Sequence, residues 1–252
     1  MDFELAKKII DEAADIGVPA LKFNWRGEST IHPQFSQIIK YARRKRQFYE
    51  LLCNTNGNVP DAAFDGLAAC TKIMISLDSL HNGTYQKMRK GGNLQNVIHT
   101  VGILLDRGHE NIWVRRVITS ENKSEQFILN CRDLWGTKVK IAEHYCFERG
   151  CEINPKVTRK MQRKYCGYPS QRLIVGIEGE VYPCCVDYEQ SMPLGKVGRQ
   201  TLAQLWVSKP LEALRKNLKL NNIPKGKQCA DCTSFMAYDT SERDYVQDKE
   251  VI

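Results

Sequence analysis

No uninterrupted apolar run in the 252 residues approaches the ~20 that a membrane span needs. No charged-then-apolar signal segment opens the chain either. Together these absences predict a cytoplasmic protein without a membrane partner. Nucleic-acid fold motifs are also missing, although the formal net charge is +8. The densest basic run, Arg43-Arg44-Lys45-Arg46, follows apolar Phe35, Ile38, Ile39 and Tyr41. It reads as the exposed end of an amphipathic helix, where cations also suit the negative end of the macrodipole. A solvated face accounts for that charge, and no nucleic-acid partner is expected. Without a secretory signal, the ten cysteines point away from a disulfide framework and toward metal ligation.

What the sequence does contain is a globular composition, 42% hydrophobic and 26% charged, enough for one full core and a smaller module. The cysteines cluster late, at Cys166, Cys184-Cys185 and Cys229-Ala-Asp-Cys232. Two pairs, the second at CxxC spacing, bring four thiolates to one point, which soft metals need and a packed core does not. Zinc and an iron-sulfur cluster accept the same four sulfurs, and spacing leaves both open. Cys53, Cys70 and Cys131 read as buried small hydrophobes. Cys146 and Cys151 lie where either could substitute for a ligand.

Along the chain, Phe3, Ala6, Ile9, Ile10 and Ala13 recur at helical spacing over residues 2 to 16, and Gly17 stops the helix. Short apolar strands are predicted at 19–23, 49–53, 71–77, 111–118 and 138–142. Helices are predicted between them, over about 33–46, 60–69, 82–89, 94–107 and 121–134. Five alternations of strand and helix, each closed by a turn signal, are the pattern of a parallel sheet covered by helices, curling toward a barrel. Ligand sites in such folds lie at the carboxyl ends of the strands. Chain order therefore turns Gly27, Glu28, Asn56, Ser76 and Asp78 toward one pocket. On the fourth strand, Arg115 and Arg116 are adjacent, so only one of them points inward.

The last third alternates around Glu178-Gly179, as 172–177 and 180–182, a hairpin with glycine at the turn. Two short helices follow, 202–207 and 211–218, the second introduced by Pro210. Trp206 is expected to fill this small core. The apolar inventory is thin, so a metal staple would supply stability that burial does not.

Gly27-Glu28 with His32-Pro33, Thr55-Asn56-Gly57, Ile75-Ser76-Leu77-Asp78 and Tyr85-Gln86-Lys87-Met88-Arg89, in that order, resemble the core of radical S-adenosylmethionine enzymes. Cys166, Gly179, Cys184, the Leu194-Gly195-Lys196-Val197 to Leu205-Trp206 stretch and Cys229-x-x-Cys232 resemble their SPASM extension. The resemblance implies a partial (β/α)6 barrel lacking its first strand over 1–145, a bridge over 146–165, and a small α+β cluster domain over 166–252. It implies S-adenosylmethionine held by Gly27, Glu28, Ser76 and Asp78, with Arg115 or Arg116 on its carboxylate. It also favours one auxiliary 4Fe-4S cluster over zinc, on Cys166, Cys184, Cys229 and Cys232, the glycine spacing favouring Cys184 over Cys185.

Relatives modify peptides, proteins or small molecules with a 5'-deoxyadenosyl radical. The family's CxxxCxxC triplet, which holds the reactive cluster, occurs nowhere in these residues. The chain as written is therefore expected to be inactive. It would be an incomplete copy, half of a split enzyme whose partner supplies the missing strand, or a degenerate member. The alternative function is a non-catalytic, metal-stapled module that binds a peptide or partner chain.

Overall fold

The computed structural model describes residues 1–145, 166–223 and 228–232, which fall into two compact units. The larger, whose described residues are 17–145, holds five strands: β1 (Ala20–Lys22), β2 (Glu50–Thr55), β3 (Lys72–Ser76), β4 (Ile112–Ile118) and β5 (Lys140–Tyr145). They lie in chain order and every pairing is parallel, so the α/β fold anticipated from the alternation is present. One sheet face is apolar and covered by helices. Leu51, Cys53, Ile73, Ile75, Ile112 and Val114 are fully buried there. Ile39 of α2 (Phe35–Arg43), Leu67 of α3 (Phe64–Ala69), and Val97, Val101 and Leu104 of α5 (Leu94–Asp106) are equally buried. Between α3 and α5 lies α4 (Asn82–Met88).

Two element boundaries differ from expectation, each for a local reason. Helix α2 ends at Arg43, and the guanidinium of Arg44 and the ammonium of Lys45 lie 5.4 and 5.2 Å from the Tyr41 ring. Helix α6 covers Phe127–Trp135 instead of starting near residue 121. The Asn122 carbonyl accepts from Glu125 N at 3.1 Å, closing a tight turn, and from Nη1 of Arg116 at 3.0 Å, which also reaches the Glu125 carbonyl at 3.3 Å. The Asn122 amide is itself fixed to the carbonyls of Asp78 and Val117. A buried cation thus holds this segment as a turn.

The other unit contains the cysteine module, and α1 (Phe3–Asp15) belongs to it, not to the sheet unit to which the sequence reading assigned residues 1–145. The reason is an apolar stripe, Ala6, Ile10, Ala13 and Ala14. In addition, Oε2 of Glu12 accepts the backbone N–H of Leu202, first residue of α7 (Leu202–Trp206), at 2.8 Å. The hairpin is present as β6 (Ile174–Val175) against β7 (Glu180–Tyr182), with Gly179 at φ +91°. A third strand, β8 (Gly195–Lys196), extends it. Pro210 opens α8 (Lys209–Lys219), and α9 is Gln228–Asp231. The buried filler is Leu205, fully enclosed, while Trp206 is half-buried with the Arg215 guanidinium 4.0 Å from its ring. The indole faces a cation, which the apolar centre could not accommodate. Among the described residues no helix is long and apolar enough to cross a membrane.

One glycine joins fold to site. Gly57, at φ +80°, follows the β2 loop, and a Cβ there would lie 2.7 Å from Cγ1 of Val97 and 3.1 Å from Cγ2 of Ile75. Gly57→Ala should therefore lower stability by about 2–4 kcal/mol, from the left-handed backbone and the overpacked contact together. Thermal melts should show Val97→Ala recovering part of that loss. An unchanged melting temperature for Gly57→Ala would contradict the geometry.

Candidate functional site

The carboxyl ends of β1, β2 and β3 open into a cavity of ≈ 420 Å³ lined by Asn24, Gly27, Glu28, Asn54, Thr55, Asn56, Ser76 and Arg89. Gly27 takes φ +71°, so the chain turns and delivers Glu28 into the site. Oε1 of Glu28 accepts from Thr30 N and Oγ1 at 3.2 and 2.7 Å, and Oε2 accepts from Asn56 N at 2.6 Å. Three donors fix the carboxylate between two loops and leave a lone pair on Oε2 for a cation. Asn24 Oδ1 accepts from Asn54 N at 3.2 Å, joining the β1 and β2 loops a second time.

Gly27, Glu28, Asn56 and Ser76 thus meet in one cavity as strand-end logic requires, whereas Asp78 is absent from its lining. The Asp78 carboxylate is used elsewhere. Oδ2 accepts from Arg89 Nε at 2.7 Å and lies 2.6 Å from its Nη2, and Oδ1 accepts from Val117 N at 2.7 Å. Asp78 is 5% exposed and left-handed at φ +66°, a conformation held by these bonds. Its effect on the cavity is indirect: it aims Arg89, whose place there the sequence reading missed. The available signal was an acid at a strand end and an arginine closing the next helix.

Alternation also separates the two arginines of β4. Arg116 turns into the helix layer, 6% exposed, paired with Glu143 and 5.0 Å from the Phe127 ring. Arg115 takes the other face beside Ser76, its register partner, with Nε donating to His144 Nε2 at 3.0 Å. Burial weakens the Arg115 guanidinium's hold on its proton, against the nearby Asp78 charge. Burial, reinforced by Arg115, pushes His144 down to about 4, so its imidazole is neutral and accepts the bond.

In the other unit, the thiols of Cys166 and Cys184 are buried and Cys185 is partly exposed. A hydrogen bond with Cys185, then burial, pushes the Cys184 thiol far up, and Cys166 is close enough to add to it. The N–H of Val186 points at Cys184 Sγ, 3.4 Å away. Asp187, fully buried, holds the following loop by accepting from Ser191 N and Oγ and from Met192 N, each at 2.9 Å. Cys166 packs with Leu218, Tyr168, Leu214 and Ile223, at the end of the chain that leads to Cys229 and Cys232. The donor set suits a soft metal, with neighbouring sulfurs and an N–H directed at one of them. Among the described residues, however, no three His, Cys, Asp or Glu side chains are gathered closely enough to hold an ion. Cys146 and Cys151 lie outside the described residues. Cys53, Cys70 and Cys131 are buried in the sheet unit, and burial raises Cys70 and Cys131 to about 12, which keeps them as thiols.

A parallel α/β sheet with a polar strand-end cavity, joined in sequence to a small antiparallel cysteine module, defines an α/β protein with a second, cysteine-bearing unit. Residues 166–233 match the SPASM family, an iron-sulfur cluster-binding domain. Over 81 residues the chain is 31% identical to the S-adenosyl-L-methionine-dependent 2-deoxy-scyllo-inosamine dehydrogenase of Niallia circulans, covering 32% of each protein. Over 131 residues it is 24% identical to the GTP 3',8-cyclase of Petrotoga mobilis, covering 50% of this chain and 40% of that one. The matches therefore span well under half of these curated relatives. Streptococcus suis SuiB bound to S-adenosylmethionine superposes with a TM-score of 0.69 at 14% identity, over 93% of this chain and 64% of SuiB. SuiB bound to the precursor peptide SuiA gives 0.70 at 13%, over 93% and 63%. Residues 166–233 thus match the SPASM domain, and the chain as a whole shares its fold with SuiB.

Proposed function

We propose that this chain is the cosubstrate-binding and auxiliary-cluster part of a radical S-adenosylmethionine enzyme. The observation that carries the reading is the Gly27-Glu28 turn, with its carboxylate fixed by three donors at the mouth of parallel strands and Ser76 across the cavity. In this reading Glu28 holds the ammonium of the methionine moiety, Gly27 lets the ligand approach the backbone, and Asn56 and Ser76 bond its polar groups. Arg115, not Arg116, is the arginine available to its carboxylate. Asp78 acts through Arg89. The substrate is a peptide, protein or small molecule. Peptide chemistry is supported by the SuiB structure solved with its precursor peptide.

Cys166, Cys184, Cys229 and Cys232 would hold one 4Fe-4S cluster, which supplies electron transfer or substrate support when bound. A second reading, a metal-stapled binding module without radical chemistry, is favoured by the lack of a CxxxCxxC triplet in the 252 residues. One experiment separates them: anaerobic purification followed by metal and sulfide analysis and calorimetric titration with S-adenosylmethionine. About four irons and four sulfides per chain with saturable cosubstrate binding are expected. Zinc without iron would remove the cluster assignment. Intact metal without cosubstrate binding would leave the binding module.

A further inference from the structure

The sheet face opposite the helices is basic. Register places Lys72, Met74 and Ser76 of β3 beside Trp113 and Arg115 of β4, which in turn adjoin Lys140, Ala142 and His144 of β5. The Lys72 and Lys140 ammonium groups lie 4.8 and 5.4 Å from the Trp113 ring centroid. Lys140 also reaches Asn111 Oδ1 at 3.4 Å. One same-face step further along β4, Arg115 bonds to His144 Nε2 at 3.0 Å and Met74 Sδ at 3.7 Å, with the Asp78 charge nearby. Among the described residues none of these three cations has a carboxylate at ion-pair distance. Lys22 of β1 shares the face, and Glu50 of β2 is its one acidic residue among the five strands.

Two cations gathered about one ring with no carboxylate at ion-pair distance repel one another, and an incoming anion relieves that cost. We propose that this face binds an acidic peptide segment, with Lys72 and Lys140 taking one of its side-chain carboxylates beside Trp113. The two ammonium groups reach the Trp113 ring from the two strands beside it, a spot that one carboxylate side chain of an extended peptide can enter. A nucleotide fits less well, because an indole already engaged by two ammonium groups offers little platform for a base. The proposal rests on the reading above only in taking a peptide as substrate, since Lys72 and Lys140 open β3 and β5, at the strand ends away from the cosubstrate cavity.

The test is fluorescence anisotropy on the full chain, with a fluorescein-labelled peptide carrying Glu at alternate positions and its Gln counterpart. At low salt the Glu peptide should bind at least about tenfold tighter, and the gap should narrow as salt rises. Lys72→Gln and Lys140→Gln should each weaken it about three- to tenfold, while Lys40→Gln, whose partner is Asp65, should leave it unchanged. Lys140 is exposed, so its variant folds even if the Lys72 variant does not. Equal binding of both peptides, unchanged binding by Lys140→Gln, or displacement by GTP as effective as by unlabelled peptide would each overturn the proposal. Titration with S-adenosylmethionine in parallel keeps the two readings apart. Acidic-peptide selectivity without cosubstrate binding supports the face and removes the enzyme reading, whereas cosubstrate binding without selectivity does the reverse.

Discussion

Cys184→Ser should strip the C-terminal module of its cluster, taking iron from about four per chain to well under one after anaerobic purification. Serine is a hard oxygen donor with a far higher pKa than a thiol, so it neither ionises readily nor suits iron in a sulfide cage. The structure makes Cys184 the most exposed to this test among the four candidates. It is buried, it neighbours Cys166 and Cys185, and it receives the Val186 N–H. Cluster binding is also folding free energy in a module with so few large buried side chains, so its melting transition should fall with the iron. Cys185→Ser is the discriminating partner. If Cys184 is the ligand, that variant keeps its iron, and the reverse pattern would move the assignment by one residue. Cys131→Ser, deep in the sheet unit, should leave the iron count untouched.

Glu28→Ala should raise the dissociation constant for S-adenosylmethionine by about thirtyfold or more, since truncating one partner of a desolvated, hydrogen-bonded charge pair costs about 2–5 kcal/mol. Two losses combine. The anion facing the ligand's ammonium disappears, and the N–H groups of Thr30 and Asn56 lose their shared acceptor. Glu28→Gln separates them. An amide can still accept from Thr30 or Asn56, but it carries no charge and turns an NH2 toward one of the two, so it should be nearly as weak as alanine. Calorimetric titration of each variant, with circular dichroism to verify the fold, reads the effect. Wild-type affinity in both would remove Glu28 from the cosubstrate site and with it the main support for the proposed function.

The cavity was partly legible because strand-end loops in a parallel sheet converge whatever their sequence. Gly27, Glu28, Asn56 and Ser76 each follow or end an apolar run, and the sheet brings those ends together. Arg89 is not legible locally because its place depends on a bond to Asp78, eleven residues earlier, whose oxygens bond to Arg89 and Val117 N. The cysteine module was legible as a donor inventory, Cys166, Cys184 and Cys229-x-x-Cys232, but not as geometry.

The amino-acid sequence alone determined the five alternations of strand and helix, the hairpin about Gly179 and the residues that end the strands. Each is set by a period or a turn residue within a few positions. Tertiary structure decided what depends on distant partners. It chose Arg116 for the helix layer and Arg115 for the open face, because the side of a strand is fixed only when helices cover one face. It delayed α6 to Phe127, because the Asn122 carbonyl closes a tight turn with Glu125 N and Arg116 holds it there. It also joined α1 to the cysteine module through Glu12 and Leu202, 190 residues apart, a contact that no local pattern encodes.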